Sequence, residues 1–485
     1  SVKLAVVGGR HIENGDDAAF SSVTSTRHLV VIGETPGPGA GVVAVADGAY
    51  QPQTDILDQQ RIGFDQEELV EHLDTFLFEE AFDMYQEGGH SAAVASINLE
   101  TPLPTEVQRR SIVLGTSEAG ENIRAEVQED IAALSTLMDV FYPVSKGGPH
   151  FSYDALENTK NARTLQGMAA DDSLFKDCLN CPLETSLKFI NFYGVFSYAN
   201  DLILAAFQQS TTNFVAGNAD FSQMSDEGRA EVIQRLTLNL VVWMYAVGKM
   251  ETGIQKCLAQ DPTDNGVANW DSAIAFYVGM ETNSTGLLFG LSDELCPSFE
   301  TCDEAGRSAV NREVLAEFAA GQGKLAKGQC EDVVGVKNRI VSLMTIPLVQ
   351  GTLYYSYWLR GTQDERILGA AYGFTAAILP LLNDCDSDGV GIISISTSIP
   401  PPIDAGGVDL FPLVKGFIEA QYECLGIKCQ DVGTLDGAEL CSERENDDVL
   451  DDDVISDDDA SSARGDDVLL GMARIGATAA LLLLL

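Results

Sequence analysis

The chain of 485 residues is poor in the side chains on which most enzymes rely. Its five histidines never fall into the H-E-x-x-H pattern of a zinc hydrolase, and no G-x-S-x-G nucleophile elbow occurs. The E-x-x-H motifs on bundle helices that a di-iron ferroxidase needs are not found either. These gaps argue against an enzyme. Basic residues are scarce, 29 Lys and Arg against 73 Asp and Glu, so the net charge is −44. Such a chain repels nucleic acid and anionic membrane while concentrating cations nearby. Nucleic acid is excluded as a partner on this ground. Strand-like runs are few, and 391–398 is the best of them, closed by Pro400, Pro401 and Pro402.

What is present is material for helices. Hydrophobic residues make up 45% of the chain, enough for a sizeable core. Residues 1–54 are rich in Gly, Val and Ala, with Pro36-Gly37-Pro38-Gly39, and read as a poorly ordered extension. Helical periodicity begins at 55. It marks Leu69–Met84, Ile131–Phe141, 154–170, 184–209, 226–258, 268–281, 308–328, 331–359, 364–383 and 408–426. Asp226 and Asp303 read as helix starts, Gly321 and Gly361 as stops, and Pro347 as a kink. The expected fold is mainly α, with repeated helical bundle units, few short strands and disulfide staples. The units span 55–225 and 226–433, followed by an acidic spacer at 434–467 and a hydrophobic tail at 468–485. Within the spacer, residues 443–467 carry 12 acids and 2 Arg, which leaves −34 for the rest of the chain.

Ten cysteines include Cys178 and Cys181 as C-x2-C, Cys296 and Cys302 around a short acidic loop, and Cys424 and Cys429. In an exported protein these form a disulfide framework of unassigned connectivity. A thiolate zinc site at Cys178 and Cys181 is the rival, and no second C-x2-C completes it. Asn283-Ser284-Thr285 is a glycosylation sequon and agrees with export. A basic n-region and apolar core are lacking at Ser1, so a signal peptide is absent, removed or lost with an incomplete N-terminus. At the other end, Ala460, Ser461, Ser462 and Ala463, a polar spacer and the apolar run Val468–Leu485 form the pattern of a GPI-attachment signal. Arg474 and the marginal length disfavour a membrane helix there.

The segment W-D-S-A-I-A-F-Y-V-G-M-E-T opens at Trp270, and Glu79-Glu80-Ala81-Phe82-Asp83-Met84-Tyr85 is a weaker copy of its centre. In both, an acid and a Tyr lie six residues apart, within two helical turns. Carboxylate and phenolate oxygens are hard ligands suited to a hard cation such as ferric iron. A short connection between two antiparallel helices would bring Glu251 toward Asp271, Tyr277 and Glu281, giving one candidate metal site. Glu79, Glu80, Tyr85 and His90 form its counterpart in the first unit. The plainer reading makes Tyr277 a core aromatic, Asp271 a first-turn acid and Glu281 a solvated residue. Asp384, Asp386 and Asp388, followed by Gly389, have the spacing of a calcium loop. The twelfth position is Ile395 rather than Glu, so either a weak calcium loop or a solvated turn is expected.

Several runs taken together resemble the low-iron-inducible, iron-assimilating periplasmic proteins of algae. They are R-T-L-Q-G-M at 163–168, V-V-W-M-Y-A-V at 241–247, N-W-D-S-A-I-A-F-Y-V-G at 269–279, G-L-L-F-G-L-S-D-E-L-C at 286–296, N-R-E-V at 311–314 and I-P-L-V-Q-G-T-L-Y-Y at 346–355. Residues 66–99, with Y-Q-E-G-G-H-S, look like that family's first unit. The resemblance covers more than half the chain. It implies a secreted, periplasmic or surface-tethered protein that captures ferric or ferrous iron under scarcity, with no known catalytic role. It supplies no ligand set. The expected partners are iron ions and a membrane iron transporter, with a membrane tether through the C-terminus. The alternative is an acidic, structural or adhesive surface glycoprotein that binds calcium loosely.

Overall fold

Short oxygen-bearing side chains set where several helices begin. Thr164, Ser225, Ser308 and Asp364 each accept a hydrogen bond from a backbone N–H of the turn that follows, satisfying a donor the helix leaves open. The computed structural model describes residues 50–54, 56–91, 93–99, 112–116, 122–125, 137–141, 153–155, 160–161, 163–170, 184–259, 266–279, 287–400, 409–435 and 437–438. The first helices are α1 (Leu57–Gln60), α2 (Ile62–Asp74) and α3 (Phe78–Glu87). Short strands follow. β1 (Ala93–Leu99) pairs antiparallel with β4 (Leu137–Phe141), β5 (Tyr153–Ala155) and β6 (Lys160–Asn161), while β2 (Ile112–Thr116) pairs with β3 (Asn122–Ala125). In β1 and β4 the register sets Val94 opposite Phe141 and Asn98 opposite Leu137.

From there the chain is helical. It continues as α4 (Leu165–Ala169), α5 (Glu184–Tyr193), α6 (Tyr198–Phe207) and α7 (Asp226–Leu236). A π-helical segment, Thr237–Val242, leads without a break into α8 (Trp243–Leu258), followed by α9 (Val267–Val278) and α10 (Leu288–Leu295). The long pair α11 (Ala309–Leu325) and α12 (Cys330–Trp358) precedes α13 (Glu365–Cys385). After it come α14 (Val390–Ser396), α15 (Phe411–Ala420), α16 (Tyr422–Leu425) and α17 (Cys429–Val432), the last described helix. The fold is mainly α and stapled by disulfides, as the periodicity and the cysteines imply. Cys257 joins Cys330, Cys296 joins Cys302, and Cys385 joins Cys424. Cys429 is also disulfide-bonded.

Several local expectations are corrected. Leu137–Phe141 is a strand rather than the end of a helix over 131–141, and helix in 154–170 is limited to Leu165–Ala169. The apolar run at 391–398 forms α14 instead of a strand. Val390 and Ile393, three apart, bury one helical face, and Ser396 and Thr397 donate back to the Ile393 carbonyl. Asp303 caps no helix. Its carboxylate accepts from the N–H groups of Ala305 and Arg307 in a turn, and the helix starts later, at Ser308. Pro347, expected to interrupt its helix, lies inside α12, which runs on to Trp358.

The described helices belong to one compact unit, Ser1–Leu440. α2 packs on α7, and α13 packs on both α5 and α7, so an expected boundary at 225/226 does not divide two cores. The segment Cys441–Leu485, with the acidic spacer and tail, lies outside the described residues, as do 1–49. α13 is long and apolar enough to cross a bilayer, but most of it is buried inside the bundle. Beside it sits Arg235, buried on α7, with its guanidinium paired to Glu294, donating to the Tyr355 hydroxyl and lying over the Phe374 ring. One charged group thereby ties α7, α10, α12 and α13, and the carboxylate facing it offsets the cost of burying it.

Trp243 and Trp270 are fully buried, and each indole N–H finds a carbonyl, of Met344 and Phe318 respectively. Gly321, expected as a helix stop, instead lies inside α11 with the Trp270 ring directly against it. A β-carbon there would stand 2.1 Å from Trp270 Cζ2. Gly321→Ala is therefore expected to destabilise the protein by about 1–3 kcal/mol. Urea unfolding measures this, and an unchanged midpoint would contradict the packing described.

Candidate functional site

The expected antiparallel hairpin forms. Gly253 on α8 meets Gly266 just before α9, and Tyr245 packs edge-on to Phe276, so residue numbers fall on one helix as they rise on the other. This register brings Glu251 and Asp271 to similar levels. They serve different neighbours.

Asp271 is fully buried, and its oxygens are taken by protein donors. Oδ1 accepts from the Tyr50 hydroxyl in a short hydrogen bond and from Gln322 Nε2 at 2.8 Å. Oδ2 accepts from the backbone N–H groups of Gln53 and Thr54, both at 2.8 Å, and from Thr54 Oγ1 at 2.9 Å. Gln322 Nε2 also lies within hydrogen-bonding reach of the Tyr50 oxygen and the Gln51 carbonyl. Burial, and then the charge of Asp271, push the Tyr50 phenol well above its ordinary range, so it stays a donor. Asp271 is thus an anchor that fastens residues 50–54 to α9 and α11. The expected extension through 54 is too long, because Tyr50 is a core residue.

Glu251 faces α12. It is 1% exposed, and the Lys337 ammonium lies 3.5 Å from Oε1, itself on a side chain 5% exposed. Neither carboxylate oxygen is reached by a hydrogen bond. Burial pushes the Glu251 carboxyl up to about 7, against the pull of Lys337 and with a further push from Glu184. Tyr277 is a core aromatic that donates to Asn311 Oδ1 at 2.6 Å and meets Phe289 edge-on; burial raises its phenol. Glu281 and Asn283 lie outside the described residues. Asp271 and Glu251 therefore do not join Tyr277 in one described site.

In the first unit, Glu79 and Glu80 are exposed in the first turn of α3, where the helix dipole favours acids. Tyr85 is buried and donates to Asn200 Oδ1 at 3.1 Å. Only His90, of the four residues expected there, meets another metal-type donor. Its Nε2 is 2.9 Å from Glu68 Oε2, and the other oxygen of Glu68 is 3.6 Å from His72 Nε2. Asp65, fully buried one turn before Glu68, holds the loop by accepting from the N–H groups of Gly89 and His90 through Oδ1. Burial pushes the Asp65 carboxyl up to about 6, opposed by His90 and by these N–H groups. Asp65, Glu68 and His72 fall at i, i+3 and i+7 on α2, a spacing readable as one helix face.

The expected calcium loop does not form as a loop. Asp384 and Cys385 complete the last turn of α13, and the Asp384 carboxylate pairs with Lys188 at 2.8 Å. Asp386 accepts from the Asp388 N–H instead of facing a shared centre. Among the described residues, no three His, Cys, Asp or Glu side chains stand as ligands of one ion. Comparison with known protein families, curated proteins and solved structures finds no match to this chain in any of the three.

Two outcomes are expected. Tyr50→Phe removes one hydrogen bond to a buried charge and should cost about 2 kcal/mol in urea unfolding. A cost near zero would deny the anchor. The second outcome concerns Glu251, whose folded value near 7 lies above the ordinary 4.5. Its stabilising contribution is then full below pH 4.5 and lost as pH rises through 7. The loss is on the order of 3 kcal/mol at most. Unfolding curves from pH 4 to 8 should show this decline in the wild type and a shallower one in Glu251→Gln. Identical slopes would contradict it.

Proposed function

We propose that the protein captures iron outside the cytoplasm and concentrates it for uptake under iron limitation, as the resemblance to algal iron-assimilating proteins implies. The observation that carries this reading is the charge balance. Were every Lys and Arg paired with a different acid, 44 carboxylates would still have no basic partner. A surface of that kind raises the local concentration of cations and speeds their encounter. Three disulfides among the described residues fit an oxidising compartment, where secreted or surface-tethered proteins reside. The helical frame offers rigid elements on which a site can be held. In this reading the protein is a carrier without chemistry of its own, and the iron passes on to a membrane transporter.

Equilibrium dialysis of the full chain against ferrous iron without oxygen, and against ferric citrate, tests the reading. Iron should be retained at 0.15 M salt in the presence of excess calcium and magnesium. Loss of all bound iron under those conditions would show that the acidic surface attracts cations without selecting iron.

A further inference from the structure

We infer that the turn joining α2 to α3 is a docking knob, on which Phe76 and Leu77 seat a basic amphipathic helix of a partner polypeptide. The inference goes beyond iron capture and does not depend on it.

The backbone of the turn supplies the first argument. α2 ends with Phe76 N–H donating to the Leu73 carbonyl at 3.0 Å and Leu77 N–H donating to the His72 carbonyl at 2.9 Å. That closure needs a residue in the left-handed region, usually glycine. Phe76 holds the position instead, at φ +58. A β-carbon is disfavoured there, and a bulky ring is a true outlier. At comparable helix ends the same chain places Gly88 after α3, Gly279 after α9, Gly426 after α16 and Gly433 after α17. Gln209 and Glu300, the other non-glycine residues at positive φ among those described, are exposed polar side chains that water solvates. The turn itself calls for no phenyl ring, so the ring answers to something outside the fold.

Exposure supplies the second. Phe76 and Leu77 are adjacent and each 44% exposed. The turn that carries them is well fixed. Thr75 Oγ1 donates to the Glu71 carbonyl, Leu73 and Ala81 are fully buried on either side, and the Arg229 guanidinium lies 4.0 Å from the centre of the Phe78 ring. Two apolar side chains are thus presented on a rigid base, which leaves little order to lose on binding.

Charge selects the occupant. Glu71 and Asp74 in the last turn of α2, and Glu79 and Glu80 in the first turn of α3, are exposed and flank the pair along the chain. Glu71 and Asp74 also lie at the helix end whose dipole disfavours acids, a cost that a cationic partner offsets. An apolar centre between four acids repels anionic lipid, nucleic acid and the same turn of a second copy. It complements an apolar face bordered by Lys and Arg, which is the pattern of a basic amphipathic helix.

Fluorescence anisotropy of a labelled amphipathic peptide of Leu and Lys, titrated with the full, disulfide-bonded chain, tests the inference. Asn tolerates left-handed backbone. Phe76→Asn should therefore unfold in urea at the wild-type midpoint or above it, while its peptide affinity falls roughly tenfold. Phe76→Asn with Leu77→Ser should lose more. Glu71→Gln, Asp74→Asn, Glu79→Gln and Glu80→Gln combined should weaken binding and flatten its dependence on salt. A benzophenone on the peptide should cross-link to residues 71–80. No binding by the wild type, unchanged affinity in the folded double variant, or cross-links confined to other residues would each overturn the knob. A lowered urea midpoint in Phe76→Asn would overturn it as well, by making the ring a structural residue. If the wild type leaves the peptide unbound, and the double variant instead loses attachment to phosphatidylcholine vesicles or loses self-association, the basic partner is rejected in favour of a lipid surface or a second copy.

Discussion

A carboxylate withdrawn from water needs donors or a countercharge, and a chain with 73 acids and 29 bases meets that need repeatedly. The clearest case is Asp271, whose oxygens are filled by Tyr50, Gln53, Thr54 and Gln322. Those donors come from a segment more than 200 residues upstream and from a neighbouring helix. The acid therefore does the work of a covalent cross-link in arranging the bundle. At Glu251 the answer is different: a lone ammonium at ion-pair distance and a carboxyl shifted upward by burial. Arg235 inverts the problem, a buried cation whose guanidinium is met by Glu294 and by two aromatic rings.

This rule separates structural acids from candidate ligands. A carboxylate saturated by protein donors has no lone pair to spend on a metal, which removes Asp271 from consideration despite its place beside Trp270 and Tyr277. Glu68 differs in being half-exposed, with ion-pair contacts to His90 and His72 at the surface rather than an anchoring role in the core.

Much of the fold is legible in the sequence because helical periodicity and caps are local signals. The pattern at 226–258 gives a helix starting at Asp226 after the Ser225 cap, and the connection after 258 gives the hairpin with α9. The run at 391–398 misleads because its Ile residues favour strands locally, while the core accepts Val390 and Ile393 on a helical face. The anchor at Asp271 is not legible, since nothing near Trp270 points to Tyr50. Lys337 could be read more closely. It interrupts the apolar stripe of Val333, Val336 and Ile340, and a base in such a stripe implies a buried acid opposite. The spacing of Asp65, Glu68 and His72 is equally visible along α2. That His90 returns to them depends on the path of α3, which spacing alone does not give.

The central claim is that Asp271 is a structural anchor filled by protein donors and not a metal ligand. Crystals soaked in a ferrous salt without oxygen, measured at the iron absorption edge, test it most directly. The account predicts no anomalous peak beside Asp271, which stays bound by Tyr50 and Gln322. A peak at Asp271, with Tyr50 or Gln322 displaced, would contradict it.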